Sequence, residues 1–126
     1  MEIKSKFDHF NINVTDLNRS ITFYQEALGL TEIERKVAPD GRYILVYLGD
    51  GEGDFRLELT FLKEQQGAYN LGDNESHLCM RVAGDYAAVR AHHHTMGCIC
   101  YQNEEMGLYF IADPDDYWIE ILPLKR

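Results

Sequence analysis

Two glutamates of this 126-residue chain stand where an ionised side chain has little support from its neighbours, in Leu57-Glu58-Leu59 and Ile119-Glu120-Ile121. In an extended segment successive side chains point to opposite faces, so each carboxylate lies opposite a face made of aliphatic groups. Such a carboxylate needs a hydrogen-bonding partner or a cation. Two histidines open segments of the same kind, His9-Phe10-Asn11-Ile12-Asn13-Val14 and His77-Leu78-Cys79-Met80-Arg81-Val82. The same parity turns His9, Asn11 and Asn13 away from Phe10, Ile12 and Val14, and turns His77, Cys79 and Arg81 away from Leu78, Met80 and Val82. A single histidine in a strand is ordinarily a satisfied structural residue. A His and a Glu that recur at corresponding places in two segments are hard to attribute to packing. Two imidazoles and two carboxylates form a mixed nitrogen and oxygen donor set suited to Ni²⁺, Co²⁺, Fe²⁺, Mn²⁺ or Zn²⁺, with room for water on a six-coordinate ion. The expected metal ligands are His9, Glu58, His77 and Glu120.

Positioning these four groups requires a duplicated scaffold, and the repeat extends beyond the histidine segments. Gly29 follows His9 by 20 residues and Gly97 follows His77 by 20. Each glycine closes an amphipathic stretch, where only glycine enters the left-handed region without steric cost. Asp16 reads as the N-cap of a first helix whose Leu17, Ile21, Tyr24 and Leu28 share a face, and Asp85 stands near the start of the second. Extended segments are expected near residues 42–48 and 55–61 in the first half, and near 99–102, 108–111 and 117–122 in the second. Turns fall at Pro39-Asp40-Gly41 and Asp113-Pro114-Asp115-Asp116. This is an α+β chain of two βαβββ modules, residues 1–62 and 76–126, joined by a polar connector at 63–75 and forming an open, mostly antiparallel sheet around the metal. A module of that size is marginal alone, and pairing relieves the problem.

Composition narrows the partners. Asp and Glu number 21 against 12 Lys and Arg, for a formal charge of −9, which disfavours a phosphate backbone as partner and so excludes nucleic acid. The opening Met1-Glu2-Ile3-Lys4-Ser5-Lys6 has no apolar run behind it, and no segment has the length of a membrane span, so a cytoplasmic protein without membrane contact is expected. Cys79, Cys98 and Cys100 form neither a C-x-x-C pair nor an even set, which points to plain thiols. His92-His93-His94 is read as a solvated helix face. Trp118 shares the strand parity of Glu120, as either a pocket wall or a packed edge aromatic.

With these residues in place the chain resembles the vicinal oxygen chelate superfamily, and within it glyoxalase I, the lactoylglutathione lyases. The likeness covers nearly the whole chain. It is carried by His9, by Asp16-Leu17-Asn18-Arg19-Ser20-Ile21-Thr22-Phe23-Tyr24 running to Leu28-Gly29-Leu30, by Leu57-Glu58-Leu59-Thr60, by Ser76-His77-Leu78, and by Asp113-Pro114-Asp115 leading to Ile119-Glu120-Ile121. The helix phrase is widespread in the superfamily and supports the fold. The ligand set separates its members. Extradiol dioxygenases and fosfomycin-resistance thiol transferases use a His, His, Glu triad, methylmalonyl-CoA epimerases usually place Gln at the second position, and sequestering proteins lack a complete set. Glu58 favours glyoxalase I, and the alternatives are another enzyme of the superfamily or a small-molecule binding protein.

The resemblance implies a metal-dependent lyase. It would isomerise the hemithioacetal of methylglyoxal and glutathione to S-lactoylglutathione by proton transfer through an enediolate, with Glu120 as principal base and Glu58 as second carboxylate. It implies one divalent metal per site, nickel or cobalt before zinc, and a homodimer that often shares its sites between chains. Two family positions for glutathione contacts are altered here: an Arg four residues after the first His is replaced by Asn13, and an Asn four residues after the first Glu by Leu62. Arg81 stands four residues after His77, the counterpart of Asn13, and is the expected holder of a substrate carboxylate, with Asn11 and Asn13 as further substrate contacts. Asp116 stands in place of the family's Gly, in a turn where Asp is tolerated better than most residues.

Overall fold

Alternating apolar residues and two capped helices produce two compact units in the computed structural model, which describes residues 1–125: the first spans Met1–Gly67 and the second begins at Ala68. The first unit runs β1 (His9–Val14), α1 (Leu17–Leu28), β2 (Thr31–Val37), β3 (Tyr43–Gly49) and β4 (Arg56–Leu62). Its sheet has the order β1-β4-β3-β2, with β1 parallel to β4 and the other pairings antiparallel. The second unit repeats the plan with β5 (Leu78–Val82), α2 (Tyr86–Met96), β6 (Ile99–Asn103), β7 (Leu108–Ala112) and β8 (Trp118–Pro123), in the order β5-β8-β7-β6. Two βαβββ modules are therefore present, each with its own four-stranded mixed sheet.

The helices begin and end where local chemistry requires. The Asp16 carboxylate accepts from Arg19 N–H, and that of Asp85 from Ala87 and Ala88 N–H, satisfying amides that have no intrahelical acceptor. Gly29 and Gly97 close the helices at φ 69° and 72°, in the left-handed region. The buried line of α1 is Leu17, Ser20, Tyr24 and Ala27. Ile21 and Leu28, expected on that line, are half-buried beside it.

Register explains which face of each sheet is apolar. Ile12 and Val46 both pair with Leu59, and all three are buried, as are Val14, Leu48 and Leu57. In the second unit Ile119 pairs with Ile111 and Tyr109 with Ile121, again all buried. Burying each such aliphatic chain contributes about 1.5–3 kcal/mol, so these faces hold the units together. The opposite faces carry His9, Asn11, Asn13, Glu58 and Thr60 in one unit and Cys79, Arg81 and Glu120 in the other.

Three features differ from the sequence reading or extend it. The βαβββ plan calls for a strand directly after α1, which the sequence reading assigned to no residues: those of β2, Thr-Glu-Ile-Glu-Arg-Lys-Val, are all exposed, as befits an edge strand with charges on it. The histidine run is not a uniformly solvated face, because His93 is fully buried while His92 and His94 are exposed. Successive helical residues turn by about 100°, so one of three neighbours faces the sheet, and His93 Nδ1 lies 2.8 Å from the Tyr109 hydroxyl. Asp116 adopts φ 71°, the conformation for which glycine is the usual residue.

Candidate functional site

The first pair of chemical groups is made by two strands that lie side by side. Parallel pairing sets Asn11 opposite Glu58, so His9, one step along on the same face, reaches the carboxylate, with Nε2 3.6 Å from Glu58 Oε2. His9 Nδ1 lies 2.5 Å from Asp8 Oδ2. A carboxylate only accepts, so Nδ1 donates to Asp8 and the ring is oriented with Nε2 toward Glu58. Asp8 also receives the Arg56 guanidinium at 3.3 Å, which with His9 holds its carboxyl below the usual range.

Glu58 is buried, and its oxygens are served by two hydroxyls. Thr60 Oγ1 lies 3.2 Å from Glu58 Oε1. Tyr47, its register partner on β3, donates a hydrogen bond that, with burial, pushes the phenol up to about 12. The phenol therefore stays protonated and remains a donor throughout the physiological range. Arg56 packs over the Tyr47 ring at 4.2 Å and ion-pairs Glu34 at 2.7 Å, while His9 meets the ring edge-on at 5.7 Å. Thr60 Oγ1 also contacts Asn11 Oδ1, and Asn11 Nδ2 donates to Asn13 Oδ1 at 3.1 Å, so a polar ladder runs along β1 from the glutamate.

The second unit builds the same pair. His77 Nε2 lies 3.3 Å from Glu120 Oε1, and its Nδ1 lies 3.0 Å from the Glu75 carbonyl oxygen. Both partners are acceptors, so the ring is held between a main-chain carbonyl and a carboxylate. Around this pair the setting is aromatic. The His77 ring meets Phe110 edge-on at 5.0 Å, Phe110 packs on Trp118 at 5.5 Å, and Trp118 stacks on Tyr101 at 6.3 Å. Trp118 thus belongs to an aromatic row on the face that carries Glu120, since Phe110 pairs with Glu120 and Ala112 with Trp118. Cys79 pairs with Glu120, and burial together with that carboxylate raises its thiol above the ordinary range. Arg81 donates from Nη1 to the Pro123 carbonyl at 2.8 Å.

In both units an imidazole Nε2 faces a carboxylate oxygen, a nitrogen and oxygen pair that a shared proton or a cation would hold together. The donor chemistry of each pair fits a divalent transition metal. Each imidazole is also oriented from behind, by Asp8 or by the Glu75 carbonyl, as metal-ligating histidines are. Among the described residues no group of three or more His, Cys, Asp or Glu side chains is gathered to hold a metal, so each unit offers a pair. Asp8, Tyr47, Arg56 and Phe110 were not singled out from sequence. Asp8 had a visible signal, an acid next to the histidine, whereas Tyr47 and Phe110 reach the glutamates only through cross-strand register.

Residues 6–121 match the model of the Glyoxalase/Bleomycin resistance protein/Dioxygenase superfamily. The lactoylglutathione lyase of Haemophilus influenzae is 32% identical, over 93% of this chain and 91% of that protein. That of Neisseria meningitidis serogroup A is 31% identical, over 93% and 89%. Among solved structures, the trypanothione-dependent glyoxalase I of Leishmania major superposes with a TM-score of 0.84 at 32% identity, covering 97% of this chain and 88% of that one. Glyoxalase I from Zea mays gives 0.79 at 26% identity, over 92% of this chain and 43% of its own. A pair of βαβββ modules, a repeated His and Glu pair and relatives of this similarity lead to one conclusion: the chain belongs to the glyoxalase superfamily and, within it, to the lactoylglutathione lyase, or glyoxalase I, enzymes.

Proposed function

We propose that the two half-sites combine around one divalent metal, with His9, Glu58, His77 and Glu120 as its ligands, and that the enzyme isomerises the hemithioacetal of methylglyoxal and glutathione to S-lactoylglutathione. The observation that carries this reading is the repeated geometry: in each unit a histidine bound through Nδ1 to an acceptor turns its Nε2 toward a glutamate, at 3.6 Å and 3.3 Å. When bound, the cation supplies positive charge that offsets the negative charge developing on the substrate oxygens. Nickel or cobalt is the favoured ion, with zinc as a further candidate.

The chain's own residues carry the proton transfer. Glu120, half-buried against the aromatic row, takes the proton from C1 of the adduct and returns it to C2, while the hydroxyl and carbonyl oxygens exchange roles. Glu58 is the second carboxylate, held in place by Tyr47 and Thr60. Asn11 and Asn13, on the same face, are the polar contacts for the thiol portion. The glutathione assignment follows the named activity of the Neisseria and Haemophilus relatives, and the Leishmania enzyme shows that this fold serves another thiol. We further propose a homodimer working in the cytoplasm; Cys79, Cys98 and Cys100 are all free, which suits a reducing compartment, and no helix among the described residues is long and apolar enough to cross a membrane.

The test is reconstitution. Apoprotein supplied separately with Ni²⁺, Co²⁺, Mn²⁺ or Zn²⁺ is assayed for thioester formation from methylglyoxal and glutathione. Activity is expected with nickel and cobalt and is lost again on chelation. Glu120→Gln is expected to bind metal within about tenfold of the parent and to lose turnover by about 10³-fold or more. Near-normal turnover in that variant removes Glu120 from its role.

A further inference from the structure

We infer that Arg81 is the specificity-determining anion anchor of this enzyme and selects thiol adducts that bear a carboxylate over neutral ones, an inference that rests on the lyase reading of Glu120. A cavity of about 430 Å³ in the second unit has Glu120 and Arg81 in the same wall, with Leu108, Leu122, Met106 and Pro123 completing much of its lining. This places a full positive charge in the same recess as the proposed base, separated by apolar surface.

The register gives the spacing. Glu120 pairs with Cys79, and Leu122 with Arg81, so the arginine lies one two-residue step further along the same face, roughly 7 Å from the glutamate row. One arm of the guanidinium is fixed by the Pro123 carbonyl at 2.8 Å. That contact orients the planar fork at a cost of one of its five N–H donors, and a carboxylate is the group that fork recognises best. A carboxylate tethered a few bonds from the reacting carbons fits these positions, with the tether lying against Leu108 and Leu122. An ammonium at the same place meets a like charge, and a neutral group leaves the charge-assisted bonds unmade.

The corresponding position of the first unit is Asn13, which is polar but uncharged and is engaged by Asn11. The two modules therefore differ in charge at this position, and in the second unit β5 supplies the cavity's cationic group.

The experiment compares the parent enzyme with Arg81→Ala, Arg81→Gln and Arg81→Lys on methylglyoxal adducts of glutathione, of N-acetylcysteine and of the neutral 2-mercaptoethanol. Calorimetric binding of the unreactive S-methylglutathione and of its dimethyl ester is measured alongside. With the carboxylate adducts, Arg81→Ala and Arg81→Gln are expected to raise KM by about 10- to 100-fold with little change in kcat, Arg81→Lys to recover part of the loss, and the neutral adduct to be unaffected. S-methylglutathione is expected to lose affinity in step with KM, and its ester to bind weakly to every form. Equal losses on acidic and neutral adducts, or unchanged binding of S-methylglutathione in Arg81→Ala, overturn the anchor while leaving the lyase reading intact. Binding that depends on Arg81 in a parent enzyme that turns over none of the adducts supports the anchor and rejects the lyase reading.

Discussion

At the scale of single residues, the informative groups are those that hold the ligands rather than the ligands themselves. Glu58 is buried and must remain an anion to bind a metal, so its environment has to supply donors, and Tyr47 is one of them. Removing the hydroxyl in Tyr47→Phe leaves the ring packed between His9 and Arg56 but withdraws a hydrogen bond from the carboxylate. Metal affinity is expected to fall by about tenfold with the melting temperature of the apoprotein nearly unchanged, as read by metal titration and thermal unfolding. An unaltered metal constant would show that Thr60 alone satisfies Glu58. The His and Glu pairs were legible in the sequence because a charged residue inside an apolar strand is conspicuous, and doubly so when repeated. Tyr47 was not, because an aromatic residue in Tyr-Ile-Leu-Val-Tyr-Leu looks like any other core residue until the register between β3 and β4 sets it beside Glu58.

At the scale of elements, the two helices were readable to within a residue, since an aspartate at one end and a glycine at the other act through purely local geometry. The strand β2 was not, because its partner supplies the hydrogen bonds and its own side chains are all exposed, leaving no apolar alternation to detect. Its register breaks between Glu32 and Glu34, and that of β6 between Ile99 and Tyr101, so one of the two edge strands of each sheet carries an irregularity that discourages pairing with another chain. Turn chemistry makes a pH prediction for the hairpin between β3 and β4. The Asp50 carboxylate accepts from the Glu52 and Gly53 amides, which hold its pKa below the ordinary 3.8. A carboxyl depressed in the folded state contributes stability above its unfolded pKa and loses it as pH falls through the folded one. Asp50→Ala is therefore expected to lower the melting temperature at pH 7 and to converge on the parent as pH falls through the lowered pKa of the folded carboxyl, as followed by thermal melts across pH. A constant difference at all pH values would assign the effect to backbone entropy instead.

At the scale of the whole molecule, each unit offers two donors where a divalent site wants four or more, so the proposed function depends on two different half-sites coming together. Complementation tests how. His9→Ala and His77→Ala each disable one half-site, and each variant alone is expected to be inactive. If sites are shared between the chains of a dimer, mixing the two after subunit exchange yields heterodimers in which one site carries both defects and the other carries none. About a quarter of the parent activity is then expected from a random equal mixture. A mixture that stays inactive places all four ligands on one chain. A related consequence follows from the parallel pairing of β1 with β4 and of β5 with β8. Because the first and last strands of a module are neighbours, His9 waits 49 positions for Glu58 and His77 waits 43 for Glu120. These are contacts of high sequence separation, which form late in folding. A chain still emerging from the ribosome therefore displays each imidazole without its glutamate, and capture of the ion is deferred until the sheet has closed.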